Sequence, residues 1–254
     1  MNVQSLIKTL FYNAGYSIKK IRPVRAATGK GRARAFSNEP VDLMALLHPR
    51  NPYEGFDYQS LPFDEQGWGG NSPVFELLIK RVRPRFIVEV GTWKGASALT
   101  MAEACKALEL DAQILCIDTW LGALEFWTNT KDSERYLSLD LKHGFPAVYY
   151  QFLANVCHRG LQSWIVPFPQ TASTAALWLR QYGLEPDMIY VDASHEEEDV
   201  YEDIANYFDI LKKGGVLFGD DYGWDGVRLA VDRFSSENKL QPEFYSDKWV
   251  LTKA

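Results

Sequence analysis

Three carboxylates and one imidazole in this chain have the types and the spacing to act on a single substrate. Val191-Asp192-Ala193-Ser194-His195 is followed, 28 residues after Asp192, by Gly219-Asp220-Asp221-Tyr222. Each stretch closes an apolar run that reads as a buried strand, Asp187 to Val191 and Gly215 to Phe218. As parallel neighbours, these strands lift Asp192, Asp220, Asp221 and His195 onto one rim. Three anionic oxygen donors suit a hard divalent cation, Mg2+ first, with Ca2+ or Mn2+ as substitutes. Asp192 could instead cap a helix, and Asp220-Asp221 could be a solvated turn. Against this, three clustered carboxylates are unfavourable without a cation. A hydroxyl bound to such a cation has a lowered pKa, and a neighbouring imidazole can take its proton. The expected chemistry is on a hydroxyl group, with Asp192, Asp220 and Asp221 as metal ligands and His195 and Asp192 as catalytic residues. His48, His143 and His158 lack such partners in sequence and read as structural.

A second constellation precedes it. Glu89-Val90-Gly91-Thr92-Trp93-Lys94-Gly95-Ala96-Ser97 joins a β-rich run, Phe86 to Val90, to a helix. Gly91 lets backbone approach a ligand and Gly95 permits close helix packing. Trp93 stands where a dinucleotide-binding loop has its second glycine, which speaks against a nicotinamide-dependent dehydrogenase. Glu89 at the strand end repels phosphate and attracts an ammonium group. Asp118, 27 residues after Gly91 and closing the strand Ile114 to Ile117, is placed to bind ribose hydroxyls. A cationic amino acid joined to a nucleoside, S-adenosylmethionine, fits both acids. The alternative is a tight turn with ordinary strand-end acids.

The elements that must hold these residues alternate from Pro73 onward. Helices are expected over 74–82, opening within 91–97 and running to about 108, and over 173–182, 198–211 and 227–234. Strands are expected at 86–90, 114–117, 164–168, up to Asp192, up to Asp220, and at 248–252. Residues 123–160 read as aromatic and partly helical. This alternation implies an α/β fold with a doubly wound, mostly parallel sheet, which binds ligands beyond the carboxyl ends of its strands. Before it, residues 39–72 are loop-rich, and their aromatics line a pocket entrance or cover the domain edge. The expected division is an N-terminal extension, 1–65, and a main domain, 66–254.

The net charge of −6 conceals an asymmetry. Residues 1–38 hold eight basic side chains and no acidic one, which leaves the rest at −14. That acidic body is a poor nucleic-acid binder, since phosphate neutralisation needs a cationic face, and no nucleic-acid partner is expected for it. Val3, Leu6, Ile7, Leu10, Phe11 and Ala14 recur at helical spacing. This basic, amphipathic start within residues 1–34 either docks on its own domain or a second subunit, or attaches to an anionic membrane surface. No run approaches the ~18 apolar residues of a membrane span. Three cysteines without metal-ligand spacing read as reduced thiols, and the expected compartment is cytoplasmic, with the inner membrane face as a peripheral site.

Several blocks in order resemble a known family. They are Val88-Glu89-Val90-Gly91-Thr92-Trp93-Lys94-Gly95, Cys116-Ile117-Asp118-Thr119-Trp120-Leu121-Gly122, Tyr190-Val191-Asp192-Ala193-Ser194-His195, Leu217-Phe218-Gly219-Asp220-Asp221-Tyr222 and Gly226-Val227-Arg228. The chain resembles class I S-adenosylmethionine-dependent methyltransferases of the macrocin O-methyltransferase-like type, over about residues 66–254. The resemblance implies a Rossmann-like fold, Mg2+ on Asp192, Asp220 and Asp221, and His195 as base. It places the cofactor on Glu89, Gly91, Thr92, Trp93, Gly95, Ser97, Asp118 and Thr119, with Gln170 and Thr171 near the adenine. It implies a sugar, glycan or glycosylated small molecule as acceptor. A catechol or phenol acceptor is the second reading. A non-catalytic glycan-binding protein is disfavoured by the intact acidic set.

Overall fold

The computed structural model describes residues 41–246 and 248–254. The amphipathic helix and basic segment expected before residue 39 lie outside the described residues. From Leu43 the elements run α1 (Leu43–Leu47), α2 (Pro73–Val82), β1 (Phe86–Val90), α3 (Ala96–Ala107), β2 (Gln113–Asp118), α4 (Leu124–Thr128), α5 (Glu134–Leu137), α6 (Val148–Arg159) and β3 (Ile165–Pro169). They continue with α7 (Ala172–Tyr182), β4 (Met188–Val191), α8 (Glu197–Ile210), β5 (Val216–Gly219), α9 (Asp225–Asn238), β6 (Glu243–Tyr245) and β7 (Lys248–Thr252).

Local chemistry sets the boundaries. Ser72 accepts a hydrogen bond from Val74 N–H at the start of α2, and Pro73 occupies its first turn, where no amide donor is needed. The helix stops at Arg83, which adopts a left-handed conformation ahead of Pro84. Gly160 and Gly183 close α6 and α7 in the same way.

The seven strands form one sheet in the order β3-β2-β1-β4-β5-β7-β6, in which β7 alone runs opposite to the others and pairs antiparallel with both β5 and β6. Strands buried on both faces explain the continuous apolar runs in the sequence. On one face Ile114, Cys116, Tyr190, Phe218 and Val250 meet Phe75 and Leu78 of α2, Leu99 and Met101 of α3, and Phe152 of α6. On the other, Val88, Val90, Ile189, Val191, Leu217 and Trp249 meet α7, α8 and α9. Each fully buried side chain of this size contributes about 1.5–3 kcal/mol.

The described part of the expected extension does not stand apart. Leu43 is buried in the second core, and Tyr53 is buried in the first, with its hydroxyl donating to Ile165 O at 3.1 Å. The short strand β6 was not expected from sequence: its three residues are only partly covered and carry no apolar run.

Register fixes the rim. Val90 pairs with Ile117 and with Val191, Val191 with Gly219, and Gly219 with Trp249. One residue further along, Asp118, Gly91, Asp192, Asp220 and Lys248 therefore lie in one row across five strands. The row depends on β5 and β7 meeting closely at Gly219. A Cβ there would sit 2.3 Å from the Trp249 ring and 2.6 Å from Val191 O, and the backbone oxygen cannot yield. Gly219→Ala is expected to cost about 1–3 kcal/mol and to lower the melting temperature by about 2–10 °C in a thermal scan. An unchanged midpoint would show that β7 is not held tightly against β5.

Candidate active site

A cavity of about 350 Å3 opens at the carboxyl ends of β1, β2 and β4. Among its lining residues are Gly91, Thr92, Trp93, Ser97, Asp118, Thr119, Gln170, Asp192, His195 and Asp221, all singled out in the sequence. It lies where the chain order reverses between β1 and β4, the usual binding crevice of such sheets.

The glycine loop is built around Asp118. One carboxylate oxygen accepts from Thr92 N–H at 2.9 Å and from Trp93 N–H at 2.8 Å; the other accepts from Trp120 N–H at 2.7 Å. Burial raises the Asp118 pKa, while these donors pull it down. Trp93 sits in the left-handed region, φ 51°, and Trp120 Nε1 donates to its carbonyl at 2.8 Å. The fold thus fixes a conformation a bulky residue would otherwise avoid. Gly91, φ +83°, crosses so close to β4 that a Cβ would lie 2.1 Å from Asp192 O. Asp118 was expected to receive a ribose; in the structure its carboxylate also binds the loop.

Four expected residues do not face the cavity. Glu89 is fully buried beneath the loop, where Thr92 Oγ1 donates to it at 2.8 Å and Ser97 Oγ donates to its other oxygen. Burial pushes its pKa from 4.5 to about 7 against these hydrogen bonds. Its place in the structure is that of a brace beneath the loop. Gly95 begins α3 beside the Phe152 ring, and Thr171 caps α7 by accepting from Thr174 N–H. Asp220 is the fourth.

The opposite wall centres on His195. Its Nε2 lies 2.9 Å from Asp221 Oδ2 and its Nδ1 lies 3.5 Å from Glu125 Oε1. Trp224 stacks on the ring, with centroids 4.4 Å apart and planes at 19°. The hydrogen bond to Asp221 raises the His195 pKa, against partial burial. Glu125 also meets Arg135 at 3.4 Å, whose guanidinium lies over Trp68. Glu125 and Arg135 line the cavity but were not singled out from sequence; Trp68, one of the aromatics expected at a pocket entrance or the domain edge, lines it too. Trp68 belongs to a strap formed by Gln66 to Gly70. Gly67 and Gly70 lie against Ala96 so closely that added Cβ atoms would stand 2.1 and 2.6 Å from its methyl.

Asp192 and Asp221 share this wall, whereas Asp220 turns its carboxylate to the buried Lys248. Tyr190, two residues before Asp192 on the same strand face, donates its hydroxyl to Asp192 Oδ2 at 2.9 Å. Among the described residues no three His, Cys, Asp or Glu side chains converge to hold a metal ion. The expected shell of three carboxylates is thus a cavity-facing pair and a third held by an ammonium. The pair still fits a hard cation, because its donors are oxygen only and Asp221 keeps a second carboxylate oxygen beside the one that meets His195. Burial, then the charges of Asp220 and Asp221, push the Asp192 pKa up to about 7.

A family model described as a methyltransferase domain matches residues 88–222, more than half of the chain, including Gly91, Asp118, Asp192, His195 and Asp221. The chain belongs to this methyltransferase domain family. Solved structures similar to the methyltransferase include the O-methyltransferase NovP, 16% identical, TM-score 0.53, covering 71% of this chain and 78% of that one. TomG from Streptomyces achromogenes, solved with SAM, is 15% identical, TM-score 0.52, over all of both chains. CalS11, a TDP-rhamnose 3'-O-methyltransferase, is 17% identical, TM-score 0.50, over 70% and 77%. At such identities the likeness is one of fold. No curated protein matches the sequence. No described helix is long and apolar enough to cross a membrane.

The buried brace of the methyltransferase loop makes a pH signature. A carboxyl whose pKa is higher folded than unfolded costs stability as pH rises through that interval, here about 4.5 to 7. Between about pH 5 and pH 8, wild type is expected to lose stability relative to Glu89→Gln in denaturant titrations. Parallel profiles would show that Glu89 titrates alike in the folded and unfolded states, so that burial does not raise its pKa.

Proposed function

We propose that the protein is an S-adenosylmethionine-dependent O-methyltransferase that acts on a sugar hydroxyl, of the macrocin-like type. One observation carries the reading: a single cavity has the Asp118-organised loop on one wall and the His195, Asp192 and Asp221 cluster on the other. The solved complex of TomG with SAM and the TDP-rhamnose activity in the name of CalS11 support donor and acceptor respectively.

On the donor side, Gly91 gives the ligand close access to backbone, and Thr119 and Gln170 stand beyond the ends of β2 and β3. On the acceptor side, Asp221 accepts from His195 Nε2–H and fixes the neutral ring with its lone pair at Nδ1. Nδ1 takes the hydroxyl proton, and Glu125, 3.5 Å away, stabilises the cation that results. Asp192 and Asp221 would hold a divalent cation, whose contribution is to lower the pKa of the acceptor hydroxyl. Trp224 and Trp68 shield the site from water and offer flat faces to a ring. Beyond these contacts, the cavity acts by aligning oxygen, methyl carbon and sulfur.

Incubation with methyl-labelled S-adenosylmethionine and panels of nucleotide-sugars, lipid-linked sugars and catechols is expected to place label on a sugar hydroxyl. Label on catechols alone would move the acceptor to phenols. His195→Ala is expected to lower kcat by roughly 10²–10⁴ while leaving the affinity for S-adenosylhomocysteine unchanged by calorimetry. A near-normal rate would remove His195 from the reaction. Exhaustive chelation should reduce turnover and added Mg2+ should restore it; unchanged turnover after chelation would remove the cation from the reading.

A further inference from the structure

Lys248 is 3% exposed, yet it is charged and faces the acidic cluster from behind. Because Gly219 pairs with Trp249 in antiparallel register, Lys248 comes opposite Asp220. Its ammonium donates to Asp220 Oδ2 and, at 3.2 Å, to the Tyr190 hydroxyl. It lies 5.1 Å from the centre of the Phe75 ring and 5.2 Å from that of Tyr190. The remaining oxygen of Asp220 accepts from Asp221 N–H at 2.9 Å. Both oxygens of Asp220 thus have hydrogen-bond partners, and Asp220 does not line the cavity.

We propose that Lys248 is a resident counter-cation that withholds Asp220 from metal coordination, so that a divalent ion is held by Asp192 and Asp221 alone and exchanges readily. The inference rests on the cation in the reading above. A buried ammonium and a divalent ion compete for the same carboxylate, and removing one charged oxygen ligand from a hard cation weakens its binding. The hydroxyl of Tyr190 carries the arrangement further. It accepts from Lys248 and donates to Asp192, so the ammonium also fixes the direction of a cavity-facing ligand. Lys248 is a positioning residue: it touches neither the cavity nor a reacting atom.

The readout is Mn2+ binding to the full-length protein, followed by electron paramagnetic resonance of the free ion, with S-adenosylhomocysteine binding as the control for folding. Lys248→Met is expected to bind Mn2+ about tenfold or more tightly than wild type, because Asp220 then becomes a third charged ligand. Lys248→Arg, which keeps the charge, is expected to retain wild-type affinity. In the wild-type background, Asp220→Asn should leave Mn2+ affinity within about twofold, while Asp192→Asn and Asp221→Asn each weaken it about tenfold or more. Unchanged or weaker binding in a folded Lys248→Met protein would overturn the inference. So would an Asp220→Asn loss equal to that of Asp192→Asn, and this comparison decides alone if Lys248→Met does not fold. Absence of Mn2+ binding in wild type and in Lys248→Met alike would overturn the inference together with the cation part of the functional reading, leaving methyl transfer itself intact.

Discussion

Everything at the rim follows from the pairing register of five strands. Parallel pairing of β2, β1, β4 and β5, and antiparallel pairing of β5 with β7, bring Asp118, Gly91, Asp192, Asp220 and Lys248 into one row. A slip of one residue in any strand would send its member of the row to the opposite face. Two cores resist such a slip, because each strand buries alternate side chains against a different set of helices. The chemistry is therefore specified by hydrophobic packing well below the site.

Charge in the row is graded. Asp118 spends its carboxylate on three backbone N–H groups, and Asp220 spends its own on an ammonium and a backbone N–H. Asp192, between Gly91 and Asp220, has the Tyr190 hydroxyl as its hydrogen-bonding side-chain partner. The least neutralised acid in the row therefore faces the cavity, and the better satisfied ones organise its borders. The same division holds one layer down, where Glu89 is spent on Thr92 and Ser97.

The fold was largely legible because doubly covered parallel strands leave apolar runs, and the helices between them leave caps. Strand-end residues such as Asp192 and Asp118 could be found for that reason. The direction of a side chain was less legible. Glu89 looked like a ligand, but its face of β1 points into the first core, beside Cys116 and Tyr190. Lys248 could not be matched with Asp220 without knowing that β7 inserts antiparallel beside β5. Glu125 and Arg135 sit on helices of five and four residues, too short to show a periodicity. His195 was legible as a candidate base and Trp224 as an aromatic suited to an acceptor ring, but their stacking was not, since 29 residues separate them.

Gly67, Gly70 and Ala96 behave as one steric unit, although 26 residues separate the strap from the start of α3. The contacts leave no room for a methyl at either glycine or for a larger group at Ala96. These three positions can therefore change only in concert. A chimera that took its strap from one relative and its catalytic domain from another would have to exchange the first turn of α3 as well. The strap is in that sense a detached piece of the glycine loop, inherited with it.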